Sequence, residues 1–307
     1  MTGMNKRVDF TRRHKLIGRI RHIDMIGIRF LSLLLPKVLI PPPSEKVVLR
    51  TIHGFDLNID PLNDRGVERR IYYSGTYEEG TLQMLSSLLR PGDIFVDVGA
   101  NIGLMTVHAS QTVGRNGRVI AFEPNPATRE MLRSNCLLNR CENVQIMAQA
   151  AGSKVEKALI YDDPGSNRGR ASLVRPAEAA AGHAVDVVRL DDALEDIDPI
   201  RLIKLDIEGF ELEALRGALK ILRRPGSPIL IIECSAEREN SHGKGIKPIY
   251  DLLQDIGGYR YFKLSKGKER RSRLIELKKL DEFPSHDNVL CLTEAHLSEL
   301  RKEIFAR

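Results

Sequence analysis

From about residue 93 the chain alternates short apolar runs with longer amphipathic ones. "IFVDVG", "RVIAFEP", "NVQIMAQAA", "RLIKLD" and "PILIIEC" are strand-length runs rich in aliphatic and β-branched residues. Between them, the segment from Ile102, "ATREMLRSNCLLN" and "FELEALRGALKILRR" carry apolar residues at helical spacing. This alternation predicts a mostly parallel sheet covered by helices on both faces. Upstream, "KVVLRTIHGFDLNID" reads as a hairpin turning at His53-Gly54, and "EEGTLQMLSSLLRPGD" as an amphipathic helix closed by Pro91-Gly92. Downstream, helix "IYDLLQDIG" and strands "YRYFKL" and "NVLCL" close the domain, while "KALIYD" and "HAVDVVRL" are two further extended pieces. The "PPPS" stretch at 41–44 marks a linker. The expected division is an extension over 1–45, one α/β domain over 46–300 and a tail over 301–307.

Composition changes this picture little, and charge changes it more. At 307 residues, 42% hydrophobic and 29% charged, the chain can bury a large core. It has no Trp, so stacking platforms for nucleobases are scarce. Its four cysteines form no Cys-x-x-Cys pair and read as reduced thiols, which fits a cytoplasmic protein. The net charge of +6 is uneven: residues 1–50 hold eleven Lys/Arg against Asp9, Asp24 and Glu45, a net +8, leaving the rest at −2. Ile17, Ile20, Ile23, Ile26 and Phe30 give the basic arm an apolar stripe. Three readings follow: the stripe packs on the protein's own body, residues 1–40 lie on an anionic membrane at its inner face, or they bind nucleic acid. The first is preferred and the last is least expected. Arg29, Pro36 and Lys37 interrupt the run too often for a membrane span, and no cleavage site marks a signal peptide.

The candidate chemistry starts at "FVDVGANIGLM", 95–105, where an apolar strand ends on Asp97 and runs into Gly99, Asn101 and Gly103. In parallel sheets ligands bind beyond the carboxyl ends of the strands, and a glycine turn there allows close backbone approach. A carboxylate suits an ammonium or sulfonium better than a pyrophosphate, which argues against a dinucleotide fingerprint. Glu123, ending the next strand, is placed to accept from two ribose hydroxyls, and Gln149, ending the third, to read an adenine edge. Asn125 and Ala150 beside them, and Glu78 ahead of the first helix, complete the expected cofactor set. Amino acid, ribose and adenine in that order spell S-adenosylmethionine.

"DVGANIG", "AFEPNP", "KLDIEGFELEALRGA" and "YSGTYEEGTL" together resemble the FkbM family of methyltransferases over roughly residues 47–293. The resemblance implies a class I (Rossmann-like) fold with a seven-stranded, mostly parallel sheet. It also implies S-adenosylmethionine as donor and O-methylation of a sugar or natural product. The basic arm and the "SKGKERRSR" run (265–273) lie outside the family's pattern; that run reads as a solvated loop or a substrate-side patch.

In "RLIKLDIEGFELEAL", Asp206 ends the fourth strand and Glu208 follows it. Three roles are open for this pair: a metal-free base for a hydroxyl acceptor, a divalent site completed by Glu233, or a structural role. The metal-free base is preferred, and Glu211 is read as structural. His286 and His242 are weaker base candidates, with His286 the stronger. Resemblance suggests that "DDPGSNRGRASL" borders the substrate, through Asn167 and Ser172. Tyr77 and Glu78 either close over the donor's methionine end or cap a helix. Rival readings are an RNA methyltransferase using the arm, though the Pro-Pro motif of base-amine enzymes is missing at "LDIEG", and a donor-binding protein without turnover, which should have lost the acids.

Overall fold

The computed structural model describes residues 5–21, 34–161, 172–173, 182–235, 239–240, 243–244 and 246–306. Eight strands form the central sheet: β1 (Ile94–Val98), β2 (Arg118–Phe122), β3 (Val144–Met147), β4 (Leu202–Leu205), β5 (Ile229–Ser235), β6 (Tyr259–Leu264), β7 (Leu274–Leu277) and β8 (His286–Thr293). Their order is β7-β6-β8-β5-β4-β1-β2-β3. β3 through β5 run parallel, β8 lies antiparallel between β5 and β6, and β7 pairs antiparallel with β6 at the edge. Apart from β7, this is the expected class I arrangement. β7 escapes the pattern because it is a short edge strand in a charged stretch, with Ile275 40% exposed.

The buried runs behave as the pattern demands. β1, β2 and β4 bury side chains on both faces, one feeding a cluster around Phe95, Leu85 and Val107, the other a cluster around Phe122, Leu205 and Ile232. Lys204 is the exception, a lysine 3% exposed within an aliphatic strand.

Three expectations need correcting. "NVQIMAQAA" is not one strand: β3 ends at Met147, and Ala150–Ala151 pairs with Gly182–Val188 in a separate sheet that also holds Glu156–Tyr161. "FELEALRGALKILRR" is two helices, Glu211–Arg216 and Leu219–Arg223. The break falls where a Cβ on Gly217 would lie 2.0 Å from the Gly152 carbonyl, and Asp191 then accepts from the N–H groups of Lys220 and Ile221. Helix Val67–Ser74 was not foreseen.

The start of the chain is built into the body. Lys6–Val8 pairs in parallel with Val47–Arg50, which continues into the foreseen hairpin with Asp56–Ile59. Helix Thr11–Arg21 buries His14 and Ile17, so the packing reading holds for its inner face. Ile23, Ile26 and Phe30 lie outside the described residues. Among the described residues no helix is long and apolar enough to cross a membrane.

Candidate active site

A pocket opens beyond the carboxyl ends of β1, β2 and β4 and joins the candidate donor and acceptor groups. Its floor depends on the β1 turn. Gly99 has φ +86°, and a Cβ there would sit 1.9 Å from the Asp206 carbonyl oxygen. The glycine therefore lets the ends of β1 and β4 touch, a packing reason for glycine here beside that of ligand approach. Gly103, at φ +94°, does not line the pocket: a Cβ there would meet Leu132 Cδ1 at 2.6 Å. Asn101 adopts φ 50°, and its N–H donates to Glu123 Oε2 at 2.9 Å.

On the donor side, Glu123 lines the pocket and accepts from Asn101 and Asn125 N–H, each at 2.9 Å. A carboxylate has about four lone-pair sites, so capacity for hydroxyl donors remains. Burial pushes its pKa up to about 7, against the lowering effect of those two N–H groups. Gln149 and Ala150 line the same wall, and Gln149 Oε1 is buried with no donor from the protein. An adenine amino group is the kind of donor that would satisfy it. Asp97 does not line the pocket. It is fully buried behind it, with Oδ2 accepting from Thr106 Oγ1 at 2.6 Å and Oδ1 without a protein donor. Burial raises its pKa, opposed by Lys204, its cross-strand neighbour on β4. Asn125 also departs from expectation: its side chain accepts from Ala127 and Thr128 N–H as the N-cap of helix Pro126–Leu138, and it is not in the pocket wall. Orphaned Gln149 Oε1, Glu123 and the open turn fit S-adenosylmethionine.

The acceptor side is a buried charge network. Asp206 and Glu208 line the pocket together with Lys204, Tyr77, Glu78 and Ser172. Lys204 Nζ donates to Asp206 Oδ2 at 2.6 Å. The Asp206 and Glu233 carboxyl groups lie side by side, with oxygens within 4.8 Å of each other. Lys268, 7% exposed, pairs with Glu233 Oε1 at 2.5 Å and with Glu78 Oε1 at 2.8 Å. Asn288, opposite Glu233 in the sheet register, donates to Thr81 Oγ1 at 2.8 Å, and Thr81 donates to Glu78 Oε2 at 3.1 Å. Burial alone would raise Asp206, but the lysines 204 and 268 overcome it and hold its carboxyl well below the usual range. Burial and the Asp206 charge push Glu233 up instead. Lys204 and Lys268 stay protonated because the acids around them outweigh their burial.

These placements refine the candidate list. Asp206 therefore presents an ionised carboxylate to the pocket, while Glu233 behind it is pushed towards its protonated form. Oxygens of Asp206, Glu208 and Glu233 lie within 4.8 Å of one another, as a divalent site would need. Two lysine ammoniums already sit on this set, however, and repel a dication. Glu208 adopts φ 55°, and its carbonyl accepts from Ser172 Oγ at 2.8 Å. Glu211 is structural as expected, accepting from Ile207 and Gly209 N–H. His286 is exposed at the start of β8 and does not line the pocket, so it is withdrawn as a base. His242 and Asn167 lie outside the described residues. Sequence reasoning missed Lys204, Lys268, Thr81 and Asn288. A lysine inside "RLIKLD" was a legible signal; Lys268 sat in a run that looked solvated.

The methyltransferase FkbM domain family matches residues 97–261. Methyltransferase sdnD of Sordaria araneosa is 28% identical over 153 residues, 40% of this chain and 59% of that protein. The 31-O-demethyl-FK506 methyltransferase FkbM of Streptomyces tacrolimicus is 30% identical over 158 residues, 42% of this chain and 60% of that protein. The hexuronic acid methyltransferase AglP of Haloferax volcanii is 24% identical over 163 residues, 52% and 64%. The chain thus spans about 60% of the length of the curated relatives it matches.

Proposed function

The chain belongs to the FkbM methyltransferase family, and from that premise we propose that it methylates a hydroxyl of a sugar or natural-product acceptor, using S-adenosylmethionine. The observation that carries this reading is one pocket that joins the Glu123 and Gln149 wall to the Asp206–Glu208 end. The relatives' names support an oxygen acceptor: one acts on 31-O-demethyl-FK506, the other on a hexuronic acid. Among the described residues the pocket wall carries a single basic side chain, Lys204, already paired with Asp206, and the acids whose loss would mark a non-catalytic binder are in place.

The donor supplies a methyl group activated by a sulfonium. Glu123 holds the ribose hydroxyls and Gln149 the adenine edge. Asp206, kept ionised by Lys204, accepts a hydrogen bond from the acceptor hydroxyl and fixes its direction, since in-line transfer depends on alignment. As that hydroxyl gives up its proton, the ionised Asp206 carboxylate receives it and releases it to solvent when the methylated product leaves the pocket. No metal takes part in this scheme.

The test is transfer of isotopically labelled methyl from S-adenosylmethionine to a panel of hexuronic-acid glycans and hydroxyl-bearing macrolides, with the labelled atom located by mass spectrometry. Asp206→Asn should bind S-adenosylhomocysteine normally and lose roughly 10²–10⁴ in turnover. Chelator should leave the wild type active. Label on nitrogen or carbon, full activity in Asp206→Asn, or activity that vanishes with chelator and returns with a divalent ion would each overturn the corresponding part.

A further inference from the structure

Residues 10–40 hold seven Lys/Arg and a single acid, Asp24. Helix Thr11–Arg21 turns His14 and Ile17 inward, 0% and 2% exposed. Arg12, Leu16 and Arg19 occupy the opposite face and are exposed. The helical turn at 34–39 lies alongside, since Arg13 Nη1 donates to the Leu39 carbonyl at 2.9 Å. There Ile40 is buried, while Lys37 and Val38 are exposed. Leu16 and Leu34 are each 47% exposed and Val38 78%. These are three of the nine large hydrophobic side chains exposed among the described residues, gathered on a short part of the chain. A cleft beside the same helix is lined by Arg12, Arg13, Lys15 and Arg50. Asp9 is the acid in its wall, and Oδ1 already accepts from Thr11 N–H at 2.8 Å.

The packing of His14 and Ile17 explains the inner face and leaves the outer one unexplained. A merely solvated face has no use for Val38, Leu34 and Leu16 among its cations. A nucleic-acid backbone would meet the cations but offers nothing to the aliphatic side chains. An anionic bilayer meets both: aliphatic side chains enter the boundary below the headgroups while lysines and arginines stay at the phosphate level. We propose that the outer face of Thr11–Arg21 and 34–39 is a docking surface for an anionic lipid bilayer. It holds the protein peripherally, with the cleft at Arg12, Lys15 and Arg50 facing the lipid phosphates.

The experiment is sedimentation of the full chain with phosphatidylcholine vesicles, with and without phosphatidylserine, at low and high salt. Wild type should pellet with phosphatidylserine vesicles at low salt, and less at high salt. Arg12→Glu/Arg19→Glu/Lys37→Glu should partition at least about a hundredfold more weakly, at about fivefold per cation removed. Leu16→Ser/Leu34→Ser/Val38→Ser should also bind more weakly while keeping its salt dependence. All six sites are exposed, and unchanged binding of S-adenosylhomocysteine checks that the variants are folded. The proposal is overturned if wild type ignores phosphatidylserine vesicles at low salt, or binds neutral vesicles equally well. It is also overturned if the serine variant binds like wild type and duplex RNA competes equally against both proteins; the face would then read polyanions. Soluble glycerophosphate competing as well as vesicles do would reduce the site to a phosphate cleft and overturn the bilayer.

Discussion

At the scale of single residues, Glu123 combines burial, two backbone donors and a place in the donor wall. Its pKa near 7 is set first by burial. Hydroxyl donors favour the ionised carboxylate, so ligand binding must lower that pKa. The sign follows: above about 7 the group is already ionised, while below it a proton must be expelled for the ligand to bind. S-adenosylhomocysteine should therefore bind roughly tenfold more weakly near pH 6 than near pH 8, and Glu123→Gln should flatten this dependence. Calorimetry at the two pH values decides it; a flat wild-type profile would show that Glu123 does not take the hydroxyls. Placing Glu123 from sequence needed only the strand pattern and the chemistry of an acid at a strand end. Asn125 was misassigned because its oxygen completes the first turn of a helix, a local demand that competes with any ligand for the same lone pairs.

At the scale of elements, the β6–β7 hairpin delivers Lys268 into the site. Its backbone is fixed as firmly as its ammonium: Lys268 N–H donates to Asp287 Oδ1 at 2.9 Å, and its carbonyl accepts from Gly80 N–H at 2.8 Å. Gly80 is required, since a Cβ would fall 2.7 Å from the Arg270 carbonyl and 2.8 Å from that of Lys268. Removing one partner of a buried ion pair strands the other. Lys268→Met should cost about 3–5 kcal/mol, and adding Glu233→Gln should recover at least about 1 kcal/mol of it. Denaturant melts of the four-protein cycle measure the coupling; strictly additive costs would mean that the two groups do not interact. The basic run 265–273 looked solvated because its periodicity is polar. Only the hairpin's return across the sheet shows that one of its lysines is enclosed. The strands and helices that build the donor wall were legible because each is defined by its own stretch of sequence. The charge network was not, because it is defined by which strand lies beside which.

At the scale of the whole molecule, the arm is fastened at its start and in its middle, by the parallel pairing of Lys6–Val8 and by His14. His14 Nε2 lies 3.0 Å from the Tyr72 carbonyl, and Gly75 has no Cβ where one would stand 2.6 Å from His14 Nδ1. Burial lowers the His14 pKa to about 4. Below the ordinary value of 6.5 the detached imidazole takes a proton that the docked one refuses, so docking weakens as pH falls from about 6.5 towards about 4. Limited proteolysis should thus cut at the basic residues ahead of Lys46 faster near pH 5.5 than near pH 7.5. His14→Ala should cut fast at both. Equal rates for wild type at both pH values would count against the histidine as the fastening.

Glu78 and Asn288 meet across 210 positions of chain. The wall holding Glu123 and Gln149 is drawn from the first three strands of the sheet and the segment that follows them. Lys268 and Asn288 come from the β6–β7 hairpin and from β8, which lies between β5 and β6. Asp206 finds Lys204 on its own strand, whereas the lysine shared by Glu78 and Glu233 comes from the far hairpin. The acidic end of the pocket is thus tied to the last elements of the sheet, and the Glu123 wall to its first strands.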